Sequence, residues 1–459
     1  MGADQTAASV RPANRSAQRW FALLIGLLLL PACSEQVASS PTGATLPSIN
    51  TPTPRKTATA TLTQTATASP SPTPTPGDQL ALDVQASVGY HLPLTIQHIS
   101  EHEAVFYFTL EYPTPGKLFL WQDGTDPRVG TQVDFSADRA QHQIRIPDLL
   151  PGTVYWAAVG LEDGQDAYLP PQLNGQQWGP LQVKTYSGDF PLRVGVIGDS
   201  GFGGRTTYDL AASLVAMKPD LVLHTGDIVY HAHEEQDPRQ AFVVKYYLPL
   251  AAVLHAAPLY PTIGNHELDA SAQWQGRPFY DAAFPAFGGD NLNLPLAERW
   301  YAFGYGPVQF IVLDSMAIYD GIAYSSQNRW LDERLADPSF QFSILNLHVP
   351  PYTAGAHVDD GLVARRDWAP RFEAARVPLV LSGHDHNYQR LLVGGVTYVI
   401  SGGGSRVLYS KAHDLPESQV FARESHFVWL EIYPDRIDLR AIGLDGKLID
   451  RTSIAIEKP

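Results

Sequence analysis

Five short polar clusters combine residue types that can do chemistry together: Gly198-Asp199-Ser200-Gly201, Gly226-Asp227-Ile228-Val229-Tyr230, Gly264-Asn265-His266-Glu267, Asn346-Leu347-His348 and Gly383-His384-Asp385-His386. Taken singly, Gly-Asp after an apolar run is more often a turn than a ligand. Together the clusters offer carboxylates, imidazoles, amide oxygens and a phenol, and no thiol. That donor set suits borderline to hard ions such as iron, zinc, manganese or magnesium, whereas calcium would want more oxygens and no imidazole. The chain's single cysteine, Cys33, lies far from the clusters, so thiolate metal sites, cysteine nucleophiles and disulfides are excluded from the folded part.

Something must carry these clusters to one place. Each follows a short apolar run, and runs at 192–197, 221–224, 259–263, 308–313, 342–347 and 379–381 read as strands, with helical spacing at 208–217, 241–254 and 327–335. The alternation predicts an α/β unit. Ligands in such sheets collect beyond the carboxyl ends of strands, so all five clusters are expected on one rim. Runs at 396–401, 427–433, 437–441 and 448–456 predict further strands that complete a second sheet.

Upstream, residues 78–188 show short alternating runs (104–108, 117–121, 153–159) separated by Pro and Gly turns, the pattern of a β-sandwich. Within them Leu150-Pro151-Gly152-Thr153-Val154-Tyr155 resembles the tyrosine corner of fibronectin type III-like domains, the plainer alternative being a chance turn before a strand. A chain of 459 residues exceeds what one core usually organises. The expected division is therefore 1–33, 34–77, 78–188 and 189–459.

The first two segments speak to compartment. Arg11, Arg15 and Arg19 precede an eleven-residue apolar run at 20–30, the length of a signal-peptide core and too short to span a bilayer. It ends in Leu30-Pro31-Ala32-Cys33, which resembles a bacterial lipoprotein signal with Cys33 as the lipidated residue. Residues 34–77 are nearly all Thr, Ser, Pro and Ala and read as a solvated stalk, with a coil span of roughly 40 Å. Such a chain is expected to be secreted and held to the cell envelope through Cys33 only.

Net charge is −15; residues 1–77 hold five basic and two acidic residues, and the remainder 27 and 45. So acidic a surface disfavours nucleic acid and anionic headgroups. A small phosphorylated substrate would have to be drawn by a local positive centre.

In order and spacing the five clusters resemble those of the calcineurin-like metallophosphoesterases, and within them the purple acid phosphatases. The resemblance covers residues 190–405, and the preceding β-sandwich suits plant-type members. It implies a two-sheet α/β/β/α catalytic domain. Most of that superfamily has Asp-x-His in the first cluster, whereas this chain has Asp199-Ser200-Gly201, and Tyr230 in Gly-Asp-x-x-Tyr appears as the replacement ligand. The resemblance further implies Asp199, Tyr230 and His386 on one ion, Asn265, His348 and His384 on the other, and Asp227 bridging. Tyrosinate would favour Fe(III), paired with divalent Zn, Mn or Fe. Metal-bound hydroxide would then hydrolyse phosphate monoesters in the manner of an acid phosphatase. By the same analogy His266 and His357 face the phosphate or leaving oxygen as catalytic histidines. Val358 follows His357 where the plant pattern has a second histidine, which leaves the general acid open.

Other residues carry plainer expectations. Glu267 and Asp385 read as framework, His224 as a packed imidazole, His231 and His233 as loop residues, and Asp314 as a supporting strand end. Two alternatives stand beside the monoesterase. One is a phosphodiesterase or nucleotide phosphohydrolase on the same scaffold; the other is a surface adhesion protein with a vestigial phosphatase domain.

Overall fold

In a computed structural model of the chain, the described residues are 88–162, 168–231, 238–268, 276–285, 299–319, 321–405 and 407–457. The proposed signal and stalk, 1–77, lie outside them. Among the described residues, no helix is long and apolar enough to cross a membrane.

The first strands are β1 (Tyr90–Ile99), β2 (Ala104–Leu110), β3 (Gly116–Gln122), β4 (Thr131–Phe135), β5 (Gln141–Ile146) and β6 (Val154–Glu162). The two-residue strands β7 (Tyr168–Leu169), β8 (Gln172–Leu173) and β9 (Gln176–Gln177) follow, and then β10 (Leu181–Lys184). Strands β1-β2-β5 form one antiparallel sheet and β10-β6-β3-β4 another. Strand β5 alternates exposed and buried residues, as a strand with one wet face must. Tyr155 accepts the Leu150 N–H at 2.9 Å, the local tie-back its sequence context suggests.

The second part begins with β11 (Leu192–Ile197), β12 (Leu221–His224) and β13 (Leu259–Pro261), all parallel. It continues with β14 (Tyr301–Tyr305), β15 (Val308–Val312), β16 (Phe342–Asn346), β17 (Leu379–Ser382), β18 (Tyr388–Val393), β19 (Val396–Ser401) and β20 (Ser418–Ala422). Last come β21 (His426–Ile432), β22 (Arg436–Gly443) and β23 (Leu448–Ala455). Two mixed sheets result, ordered β13-β12-β11-β21-β22-β23 and β14-β15-β16-β17-β19-β18-β20.

Period-two side-chain direction explains the layering. In the seven-stranded sheet Phe310, Val312, Ile344, Leu379, Leu381 and Val399 join a core shared with the six-stranded sheet. The intervening Ile311, Leu345, Val380, Tyr398 and Ile400 pack with Ala323, Leu331, Ala364, Trp368 and Phe372 from the helices Gly321–Leu335, Leu362–Asp367 and Ala369–Ala374. On the six-stranded sheet the helix Arg205–Ala216 approaches so closely that a Cβ at Gly195 would meet Leu214 Cδ2 at 2.8 Å. The α/β/β/α order is therefore enforced by strands that are apolar on both faces.

Two expectations needed revision. The C-terminal strands do not build one sheet: β18–β20 finish the seven-stranded sheet, while β21–β23 extend the six-stranded one, with β21 antiparallel to β11. Strand β21 is buried at six of seven positions, as its place inside a sheet requires. The expected helix at 241–254 is broken into Pro238–Phe242, a π turn Val243–Tyr247, and Ala251–Ala256. Pro249 has no N–H to give the preceding turn, and Leu248 instead donates five residues back, to Val243 at 3.0 Å.

The sandwich does not stand apart. Trp178 Nε1 donates to Leu94 O at 2.8 Å and its ring meets the His255 ring edge-on at 4.6 Å, and Ile99 N–H donates to the Tyr260 hydroxyl at 3.3 Å. One apolar cluster runs continuously from β1 into both catalytic sheets.

A polar tie joins the two large sheets. Asp450 on β23 accepts from Tyr388 Oη at 2.6 Å and Arg390 Nε at 2.7 Å, both on β18. Burial opposes the Asp450 anion, but Arg390 and Tyr388 outweigh it and hold its pKa below the ordinary carboxylate value. A depressed folded pKa gives stability that is present above the unfolded value of about 3.9 and is lost as pH falls through the folded value. Asp450→Asn is expected to cost about 1–3 kcal/mol at neutral pH. In melting curves recorded against pH, the gap to wild type should close below about pH 4.

Candidate metal centre

The five clusters sit beyond the carboxyl ends of five strands: Asp199 after β11, Asp227 after β12, Asn265 after β13, His348 after β16, and His384 and His386 after β17. Sharp turns bring them inward. Asp199, Asp227 and His384 take left-handed backbone conformations, with φ of 56°, 54° and 70°, a strain tolerated when the surroundings hold it. Glycine makes the space. Gly226 has φ of 95°, and a Cβ there would meet His348 Nδ1 at 2.5 Å; a Cβ at Gly264 would overlap the Asp227 carboxylate.

Three donor atoms form a near-equilateral triangle. Asn265 Oδ1 lies 2.9 Å from His348 Nε2 and 2.9 Å from His384 Nδ1, and the two nitrogens are 3.2 Å apart. Each imidazole commits its other nitrogen elsewhere: His348 Nδ1 to Thr225 O at 2.8 Å, and His384 Nε2 to Asp360 Oδ2 at 2.8 Å. In the neutral tautomers that these partners select, the triangle consists of three lone pairs facing one another. Its edges match the roughly 3 Å separation of adjacent donors around an ion bound at about 2.1 Å. A cation fits there, as does the proton that His348 keeps when none is bound.

A second group adjoins it. Asp199, Asp227 and His386 bring ligand atoms within 4.8 Å of one another. Tyr230 Oη lies 2.8 Å from His386 Nε2, whose ring gives Nδ1–H to Val407 O at 2.8 Å. Asp227 links the groups, with Oδ1 3.3 Å from His348 Nε2. All seven predicted ligand residues are thereby brought together.

The electrostatics point the same way. Burial, with His348 opposing and Asp227 reinforcing, pushes the Asp199 carboxyl well up. Burial and then Asp227 and Asp199 raise the Tyr230 phenol far above 10, so a phenolate here requires a neighbouring cation. His386 falls to about 4, chiefly through burial, which leaves Nε2 bare. Burial also disfavours the His348 imidazolium, yet Asp227 outweighs it and lifts the pKa to about 10. Without a cation this pair keeps a proton, and a metal ion would have to displace it.

The framework residues behave as expected. Glu267 accepts N–H groups from Gly264 at 2.7 Å and from Asp227 and Val229 at 3.1 Å each, locking the second and third clusters together. Asp385 accepts from the Thr353 hydroxyl and from Ala356 N, fastening the loop after His348. His224 is packed, its Nε2 2.8 Å from Ser200 Oγ. Asp314 pairs with Arg299 at 3.3 Å and caps the turn Ser315–Tyr319. His233 lies outside the described residues.

His266 and His357 flank the donors, and His357 and Asp360 bring ligand atoms within 4.8 Å of His384. The His266 N–H donates to Asp227 Oδ1 at 3.0 Å, its ring stands edge-on to Tyr230 at 4.4 Å, and its side chain is 29% exposed. The His357 ring lies 4.5 Å from that of His384. Three neighbours escaped the sequence reading: Asp360, Phe202 stacked on Tyr230 at 4.4 Å, and Tyr409 stacked on His386 at 4.3 Å. Asp360 stands three residues after His357, a helical spacing that the loop sequence gave no reason to weigh.

Residues 192–388 match the calcineurin-like phosphoesterase family. With the two-sheet fold and the clustered donors, this part of the chain is a calcineurin-like metallophosphoesterase domain, the fold of a phosphoesterase hydrolase. Its relatives include purple acid phosphatases. The chain is 26% identical over 301 residues to purple acid phosphatase 15 of Arabidopsis thaliana, a match covering 58% of this chain and 54% of that protein. It is 27% identical over 343 residues to purple acid phosphatase 1 of Ipomoea batatas, covering 66% and 65%. The chain thus spans between half and two thirds of the length of these relatives. The solved purple acid phosphatase PPD1 from yellow lupin (Lupinus luteus) seeds superposes with a TM-score of 0.64 at 17% identity, over 79% of this chain and 74% of that one, and shares the fold.

Gly264→Ala tests the packing of the centre. The added methyl displaces the Asp227 carboxylate, and metal-free protein is expected to lose about 1–3 kcal/mol of stability by denaturant titration.

Proposed function

We propose that this chain is a binuclear metal-dependent phosphoesterase that hydrolyses small phosphate monoesters outside the cytoplasm. The observation that carries it is the convergence of the Asn265, His348 and His384 donors beside a second group of Asp199, Asp227, Tyr230 and His386. In this reading Asp199, Tyr230 and His386 would hold one ion and Asn265, His348 and His384 the other, with Asp227 placed to serve both. Two such ions supply Lewis acidity toward phosphoryl oxygens and an activated water. The hard phenolate of Tyr230 favours Fe(III) at the first position, with Zn, Mn or Fe at the second.

The chain's own residues do the rest. His266 and His357 stand at the edge of the donor groups, where each can present an N–H to a phosphate oxygen or protonate the leaving alkoxide. The acidic balance of the chain leaves local charge at the centre as the source of attraction for a phosphorylated ligand. The apolar run before Cys33 and the Thr/Pro-rich segment after it support a lipid-anchored protein whose folded part, with its fibronectin type III-like sandwich, is held clear of the membrane by the 34–77 stalk.

Purified protein is expected to contain two metal ions, absorb in the visible through phenolate-to-iron charge transfer, and hydrolyse p-nitrophenyl phosphate. Tyr230→Phe should abolish the band. Asp227→Asn should lower kcat by about two orders of magnitude or more while circular dichroism stays native. Colourless, active protein would remove iron from this reading, and metal-free, inactive protein would overturn it.

A further inference from the structure

Asp360 lies outside the five clusters, yet one of its oxygens reaches two histidines of the site. Oδ2 is 2.8 Å from His384 Nε2 and 3.3 Å from His357 Nδ1. The Asp360 side chain is 45% exposed, whereas that of His384 is 9% exposed. An ion pair in such a wet position contributes little to folding, so stability is a poor reason for this geometry. Its directional effect is large. By accepting from Nε2, Asp360 selects the His384 tautomer whose Nδ1 is bare, and Nδ1 is the atom that faces Asn265 Oδ1 and His348 Nε2.

The loop is built to keep that oxygen in place. Thr353 and Ala356 are tied to Asp385, Ala354 N–H donates to Gln389 Oε1 at 2.8 Å, and Asp360 N–H donates to His357 O at 3.3 Å. Asp385 lies between His384 and His386 in the chain, so the strand end that offers two histidines also anchors the loop that orients one of them.

We propose that Asp360 is a positioning residue for the ion held by Asn265, His348 and His384: it fixes the tautomer and orientation of His384, raises the basicity of Nδ1, and aligns His357 through the same oxygen. This rests on the binuclear reading above. A carboxylate behind a ligating imidazole typically changes metal affinity by 10–100-fold when removed.

The test is metal binding by the full chain, with Zn(II) or Co(II) titrated against a chromophoric chelator and the Tyr230 band followed separately. Asp360→Ala is expected to weaken one of the two sites by about 10–100-fold, leaving the other site, the band and the metal-free melting temperature unchanged. Asp360→Asn should fall between, because its amide oxygen still accepts from Nε2–H without the charge. Asp359→Ala removes the same charge one residue away and should behave as wild type. Unchanged affinity at both sites in Asp360→Ala would overturn the proposal, as would equal weakening of both sites, a lowered metal-free melting temperature, or an equal effect from Asp359→Ala. Wild-type chain that binds no metal would instead overturn the binuclear reading, and this inference with it.

Discussion

Lone-pair donors crowded into a largely buried pocket are the constraint on which this structure turns. Three donor atoms face one another within 3.2 Å, and two buried carboxyl groups and a phenol lie alongside. Such an arrangement is unfavourable unless positive charge sits among the donors. The proton shared by Asp227 and His348 is a partial answer, and bound cations are a fuller one. Nearly everything around the site can be understood as holding these groups where they would not stay unaided.

Two kinds of support achieve this. Backbone support comes from five strand ends whose turns are left-handed at Asp199, Asp227 and His384 and opened by glycine at Gly226 and Gly264. Further support comes from acceptors behind the imidazoles, the main-chain carbonyls of Thr225 and Val407 and the Asp360 carboxylate, each fixing the outward nitrogen so that the other faces the site. Glu267 and Asp385 work one layer further out, pinning loops through backbone N–H groups. Aromatic faces close the assembly, with Phe202 against Tyr230 and Tyr409 against His386.

The scaffold explains why such strain is sustainable. The two mixed sheets bury both faces of most strands, and the β-sandwich adds its own residues to the same core through Ile99, Trp178 and their neighbours. A rim resting on so continuous a core has little freedom to relax, because close-packed interiors transmit displacement rather than absorb it.

Much of the site was legible in the sequence because its signals are local. An apolar run followed by Gly-Asp, Gly-Asn-His or Gly-His-Asp-His encodes a strand, a sharp turn and a donor within a few residues, and the period of two places the run inside a sheet. What escaped depends on the folded chain. Asp360 reads as a solvated loop aspartate until the chain brings it to His384, 24 residues away. Tyr409 gains its place only by stacking on His386, and strands β21–β23, expected in one sheet with β19, joined the other, since an apolar strand suits the middle of either. Local physical chemistry therefore determined the donors and the strands that carry them. Tertiary packing decided which sheet each strand joined, which tautomer each imidazole adopts and which distant side chains stand behind it, because those choices depend on contacts between residues remote in the chain.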